Sequence, residues 1–467
     1  MTDDRYLLTS LFDAAVAAAS PAACVPLWLE DKPRGRVIIV GAGKAAASMA
    51  AIVEQQWGPP LEGLVIVPDG HGADCDYVEV AEASHPVPDA RGVAATRRVL
   101  DRVSGLTAAD TVVCLLSGGG SSLLCAPAPG ISLEQKRART AALLKSGAPI
   151  HEINAARRKM SAVKGGKLAA ACAPASVITL IISDVPGNDP SVVASGPTLV
   201  DAASARESDV RILATSDDAL QAAALRALEL DLAPLLLGDL AGDARELAEE
   251  HARLAMEIAA GDGPVTPPCI ILSGGETTVQ VTGDGRGGRN GEYGLALALA
   301  LEGHAGITAI ACDTDGIDGS GDNAGCLVFP DSLQRSGGDA RQLQANNDSY
   351  AFFEALGDLI ITGPTRTNVN DFRAILIRQP EEQQHARPAT PLRRLGKCGR
   401  RQQRYRLGRG PARSRDRGSR AIRRTGRRLV PGRHAGRICR QLPDPVFPGD
   451  RAHGTSRVVD ARMRSRW

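Results

Sequence analysis

Three apolar runs in this 467-residue chain end abruptly in glycines and small hydroxyl residues, at Val37–Lys44, Thr111–Ser122 and Cys269–Thr278. Segments such as Thr111-Val-Val-Cys-Leu-Leu116 are too uniformly apolar for a strand with one wet face, so they predict strands buried on both sides. Each is expected to pass through its glycine loop into a helix, an arrangement whose backbone N–H groups can surround an anion. Repeated three times, with Lys44 inside the first loop, the pattern predicts an α/β fold that binds a phosphorylated ligand. Ligands of such sheets lie at the carboxyl ends of the strands, where these loops fall.

The rest of the chain fits that class. Helices are expected at 4–20, 44–56, from about Asp89, at 132–146 and at 151–172, alternating with strands at 36–40, 63–67, 111–116 and 176–182. This alternation predicts a mainly parallel, Rossmann-like sheet with helices on both faces. Residues 201–260 read as helical, and Gly261–Pro268 reads as a linker. A second, smaller α/β unit is expected beyond it, with strands at 269–272, 277–282, 307–312 and 373–377 and helices at 290–302 and 348–356. The expected division is therefore 1–262, 268–378 and 379–467.

The formal net charge of +2 conceals a sharp asymmetry. Residues 381–467 hold 25 Lys and Arg against 6 Asp and Glu, a net of +19, which leaves −17 on the rest of the chain. Twenty-four of those cations are arginines, scattered among Gly, Pro, Ala and Ser with no helical or strand period. Reading GC-rich coding DNA out of frame yields this mixture. A disordered tail and a phosphate-binding arm for nucleic acid are the alternatives. The ten cysteines stand singly, without C-x-x-C or zinc spacing. No apolar stretch approaches the roughly 18 residues of a membrane span, and no signal peptide is recognisable, so a reduced cytoplasmic setting is expected.

Several constellations carry chemistry. Gly41-Ala-Gly-Lys-Ala-Ala46 matches a loose G-x-G-x-x-A, and Asp69 is nearly placed to receive a ribose, which keeps a nicotinamide dinucleotide in play. Lys44 argues otherwise, because its ammonium at the loop mouth can meet a transferring phosphoryl oxygen. Ser117-Gly-Gly-Gly-Ser-Ser122 offers amides and three hydroxyls. Arg157, Lys164 and Lys167 fall near one face of the expected 151–172 helix and suggest an anionic ligand. Arg286 and Arg289 stand among glycines, where Arg289 can form a planar, permanently charged clamp at a helix start. Carboxylates gather at Asp184 and Asp189 and again at Asp313 and Asp315, hard oxygen donors suited to Mg²⁺ beside nucleotide phosphates. The second string lacks a glutamate at its twelfth loop position, Ala324, which excludes an EF-hand.

Taken in order, Ser84-His-Pro-Val-Pro-Asp89, Leu116–Ser122, Val163-Lys-Gly-Gly-Lys167, Ser183–Asp189, Ser195-Gly-Pro-Thr198, Ser273–Thr278, Gly287-Gly-Arg-Asn290, Asp313–Gly319 and Asn368-Val-Asn-Asp371 resemble the glycerate 2-kinases that carry a C-terminal MOFRL domain. The resemblance covers residues 1 to about 378. It implies ATP-dependent phosphorylation of D-glycerate to 2-phosphoglycerate with Mg²⁺, in a cleft between a Rossmann-like domain and the MOFRL domain. It implies catalytic roles for Lys44 and Arg289. Nucleotide or substrate would be bound by Gly41, Gly43, Ser84, His85, Ser117, Gly118, Gly119, Gly120, Ser121, Ser122, Asn154, Lys164, Ser273, Gly274, Gly275, Glu276 and Asn290. Asp184, Asp189, Asp313 and Asp315 would serve the metal. Family members are often labelled hydroxypyruvate reductases, so NAD(P)H-dependent reduction of hydroxypyruvate is the alternative. Small molecules, not membrane or nucleic acid, are the expected partners, and a homodimer stays open. Arg366 stands where the family pattern has glycine, and is expected to strain its loop or block the site.

Overall fold

The computed structural model describes residues 2–145, 150–199 and 208–378. Six strands form the first sheet: β1 (Val37–Ala42), β2 (Glu62–Pro68), β3 (Val78–Ala83), β4 (Thr111–Leu116), β5 (Ser176–Ile182) and β6 (Asp209–Ala214). Their order is β3-β2-β1-β4-β5-β6, and every pairing is parallel. β1 and β4 are buried along their whole length, as their unbroken apolar sequences require. The chain leaves β1 in one direction along the sheet and β4 in the other. Their carboxyl ends therefore open a crevice at the point where the strand order reverses.

The second sheet is mixed. Its strands are β7 (Ala233–Asp239), β9 (Cys269–Gly274), β11 (Ile307–Asp313), β12 (Gly325–Val328), β13 (Leu359–Ile360) and β14 (Asp371–Ile377), and a two-residue parallel pair joins β8 (Gly242–Asp243) to β10 (Thr277–Thr278). The order is β13-β12-β11-β14-β9-β7, antiparallel except for β7 with β9. The α/β class expected from the sequence therefore holds. β7 and the helix Ala244–Ala260, read in the sequence as parts of the first region, join the second sheet instead.

One apolar core ties the two sheets together. The helix Thr2–Ala18 packs against Ser216–Glu229, and their buried residues form a single cluster with Ile39 and Val113 of the first sheet and Ile270, Leu272 and Phe372 of the second. The Phe12 and Phe372 rings meet at 5.9 Å. The relative position of the two sheets is thus set by packing that behaves as one core. Among the described residues no single helix is long and apolar enough to cross a membrane.

Two local expectations are corrected. The long helix at 151–172 is two helices, Ile150–Lys159 and Lys167–Cys172, because Gly165 and Gly166 adopt φ of 63° and 78°, a left-handed turn that glycine alone adopts without penalty. Arg157, Lys164 and Lys167 therefore share no helical face. Lys167 instead donates to the Arg158 carbonyl at 3.0 Å. The third glycine loop leads into β10 and not into a helix, since Gly274 and Gly275 turn the chain over Leu240. The tail at 379–467 lies outside the described residues.

Candidate active site

A cleft of about 830 Å³ opens between the loops of the two sheets. Of the residues singled out in the sequence, Lys44, His85, Gly119, Asp184, Glu276, Arg289, Asp313 and Asp315 line it. Lys44 comes from the β1 loop and Arg289 from the start of the helix Arg289–Leu301, 245 positions later, yet a chain of contacts links them. The Lys44 ammonium is paired with the Asp315 carboxylate. The Asp315 amide donates to Asp313 Oδ1 at 3.0 Å, and Asp313 Oδ2 accepts from Arg289 Nη2 at 2.8 Å.

Strand register explains this convergence. Asp313 closes β11 and Asp371 opens β14, and the antiparallel pairing sets the two directly opposite each other. Like charges facing across a sheet repel. Arg289 resolves the repulsion by donating Nε to Asp371 Oδ1 at 2.8 Å as well as Nη2 to Asp313, while its Nη1 reaches Glu276 at 2.6 Å. The buried Arg373 donates to Asp371 Oδ2 at 2.6 Å. Asn290 supports the same carboxylate through Nδ2 at 2.8 Å. Its backbone amide, with that of Gly291, is accepted by Asp318 at 3.0 and 2.8 Å, so Asp318 caps the helix that carries Arg289.

Burial shapes the titration of these groups. Burial lowers the Lys44 ammonium, yet the carboxylates of Asp315, Asp313 and Asp184 outweigh it and leave the group above its ordinary value. Burial pushes Asp184 up to about 6, and burial together with Asp315 pushes Asp313 up to about 6 against the pull of Arg289. Burial and the neighbouring Lys44 press His85 down to about 3, so it is a neutral imidazole.

The three glycine loops do different work. In the first, the amides of Gly43, Lys44, Ala45 and Ala46 are bonded to Ile66 O, Gly118 O, Ser117 Oγ and Gly43 O. This loop presents a side chain to the cleft and no free amides. Gly41 lies within β1 against Leu115, and a Cβ on Gly43 would sit 2.2 Å from Ser117 Oγ, so these glycines serve close packing. In the second loop the Gly118 and Gly119 amides find no acceptor among the described residues, and Gly119 lines the cleft. Gly120 begins a four-residue helix packed over Ala42. In the third loop the Gly274 carbonyl accepts from Arg373 at 2.8 Å and the Gly275 carbonyl from the Asp371 amide at 3.2 Å, so it anchors the start of β14; Ser273 is buried in β9.

Other expected site residues lie away from the cleft. Lys164 is fully buried, and its ammonium donates to Ser121 O, Ser121 Oγ and Ala194 O at 2.6, 2.8 and 3.3 Å. Ser121 Oγ meets Ser195 Oγ at 2.7 Å, and Ser195 bonds Asn154 at 3.4 Å. Ser122 bonds the Gly119 carbonyl at 3.0 Å, Ser84 turns its backbone to the Asp89 carboxylate, and Asp189 accepts the Ser191 amide at 2.8 Å. Each of these stabilises a turn.

Known proteins resemble this chain over about four-fifths of its length. The MOFRL family profile matches residues 269–371, and that of a domain of unknown function (DUF4147) matches residues 7–229. A D-glycerate 2-kinase of Thermotoga maritima is 38% identical over 404 residues, covering 79% of this chain and 97% of the relative. The chain belongs to the MOFRL-containing glycerate kinase family. A protein of Agrobacterium vitis that carries the provisional name hydroxypyruvate reductase is 47% identical over 413 residues, covering 80% of this chain and 94% of the relative. A crystal structure of glycerate kinase from Thermotoga maritima superposes with a TM-score of 0.73 at 37% identity, covering 81% of this chain and all of that one.

Within this glycerate kinase family member, the sequence reading passed over Asp371, Asp318, Asn368 and His71. Asn368 donates to Asp184 at 3.2 Å, and with His71 it lines the cleft. The Asn368-Val-Asn-Asp371 string was visible, but its role depends on the β11–β14 register, which local pattern does not carry.

Proposed function

We propose that this protein is a D-glycerate 2-kinase that transfers the γ-phosphoryl group of ATP to the 2-hydroxyl of D-glycerate. The reading is carried by the juxtaposition of Lys44 and Arg289 in one cleft, each held by carboxylates that a metal-bearing nucleotide can reclaim. Phosphoryl transfer asks a protein for positioning and charge neutralisation more than for covalent chemistry. Lys44 and Arg289 meet charge developing on the transferring group from two sides, and the free amide of Gly119 in the cleft lining provides a donor beside them. The kinase names of the Thermotoga relatives point the same way.

Magnesium fits this donor set. Among the described residues no three His, Cys, Asp or Glu side chains form a ready metal cage. Magnesium commonly takes only one or two carboxylates and completes its shell with substrate phosphates. One or two of Asp184, Asp313 and Asp315 would hold it, and the ion would neutralise phosphate charge during transfer. The eight described cysteines are all free thiols, in keeping with a reducing, cytoplasmic setting.

The reductase reading meets an obstacle in the first loop. A dinucleotide pyrophosphate needs open amides there, and those of Gly43 through Ala46 are bonded internally. ADP release from ATP with D-glycerate, run beside NADH and NADPH oxidation with hydroxypyruvate, tests both readings. The kinase reading predicts turnover in the first assay and none in the second. Phosphorus NMR of the product checks for 2-phosphoglycerate.

A further inference from the structure

His85 is a polar side chain in the cleft with nothing to do for the fold. Neither ring nitrogen has a hydrogen-bond partner among the described residues, although the ring is half-buried in the cleft lining. Its position is nonetheless built. Gly119 adopts φ of 81°, and a Cβ there would come within 3.0 Å of His85 Cδ2 and 3.1 Å of Nε2, so the loop leaves the ring room by having no side chain. The same absent Cβ would lie 3.6 Å from Lys44 Cγ, which puts imidazole and catalytic lysine on one wall. His71 is the second imidazole of this wall, and its Nδ1–H donates to the Asp69 carbonyl at 3.2 Å. An imidazole between a burying wall and an ammonium stays neutral and keeps a bare lone pair.

Resting on the kinase reading above, we infer that His85 is the group that receives the proton of the attacking substrate hydroxyl. In that step the hydroxyl oxygen forms its bond to the γ-phosphorus while the bond from the γ-phosphorus to the β–γ bridging oxygen breaks. ADP leaves with that electron pair, and the hydroxyl proton passes to the free His85 nitrogen and then to water at the cleft mouth. A weakly basic acceptor suffices, because in a loose transition state the hydroxyl becomes acidic only as its bond to phosphorus forms. The competing acceptors in the cleft are less available. Asp184 already accepts from Asn368 and faces Lys44, and Glu276 accepts from Arg289. The unpartnered His71 Nε2 is fully buried, where the His85 ring is only half-buried.

The test uses the full chain and measures ADP release with D-glycerate and magnesium ATP. His85→Ala is expected to lower kcat about a hundredfold with KM for both substrates changed less than about threefold, and free imidazole to restore about tenfold of the loss. His85→Gln, which keeps the size and a neutral acceptor without a titrating ring, is expected to lose about tenfold and to ignore imidazole. If kcat stays within about threefold of the unaltered chain in both variants, or if folded His85→Ala loses activity that imidazole leaves untouched, the assignment is overturned. An unaltered chain that releases no ADP removes the kinase reading, and this inference with it; an active unaltered chain with equally active variants removes the inference alone.

Discussion

Lys44 and Lys164 both stand next to glycine in the sequence, but the fold uses them in opposite ways. Lys164 is fully buried, and the Lys44 side chain is 16% exposed. Lys44 is surrounded by carboxylates that hold its charge in place, and it faces a cleft. Lys164 has no carboxylate partner among the described residues. Burial, with Lys136 and Arg157 nearby, drives its ammonium well below the ordinary value, and its donors are taken by two carbonyls and a hydroxyl. The segment it secures is strained: Ala194 and Ser195 adopt φ of 51° and 64°, which non-glycine residues avoid. Burial alone therefore does not mark a functional lysine; the exchangeability of its partners does.

The largest effect is expected at Lys44 and Arg289. Lys44→Ala should lower kcat at least about a hundredfold through lost transition-state charge stabilisation, and should cost about 3 kcal/mol in denaturant melts because the buried Asp315 carboxylate loses its cation. Arg289→Ala should lose as much and also destabilise the fold by about 3 kcal/mol, because Asp313 and Asp371 are left facing each other. Near-normal turnover in both variants would break the contrast. Lys164→Met should affect mainly stability. It strips the buried Ser121 and Ala194 carbonyls of a donor and should cost about 2 kcal/mol in denaturant melts, with turnover per folded molecule within a few-fold of normal. A stable Lys164→Met with collapsed turnover would move Lys164 into the chemistry.

A pH profile sharpens the same division. Burial holds the Asp184 carboxyl at about 6, above its ordinary value, so the charged form needed beside a metal-bearing nucleotide predominates only at higher pH. The rate measured as kcat/KM should rise through about pH 6 and level off above it. A limb centred near the ordinary carboxylate value would show that Asp184 is not required in its charged form. The smallest effect belongs to Arg366, whose φ of 61° is that of a glycine position. Arg366→Gly should stabilise by less than about 1 kcal/mol, because relief of the left-handed strain is partly offset by the freer unfolded chain.

Much of the first sheet was legible because its strands are long, apolar and buried on both faces; Thr111–Leu116 was found to the residue. β12 and β13 were missed, being four and two residues long with no room for periodicity to register. β7 was hidden by helices on either side, and the break at Gly165–Gly166 was signalled by its glycines yet read through. At the site, the charged residues themselves stood out, but their partners did not. That Arg289 divides its donors among Glu276, Asp313 and Asp371 depends on two strands meeting in one register, a non-local fact.

The place of β14 in its sheet matters for how the protein is made. It is the last strand of the second sheet in chain order, yet it inserts between β11 and β9. During synthesis, β9 waits for its neighbour while about a hundred further residues are added, roughly 5–20 s of ribosome time at ordinary speeds. Through that interval two apolar edges stay open to mispairing. Translation slowed between residues 274 and 371 would lengthen the hazard, and a holdase chaperone would be most useful to the nascent chain there.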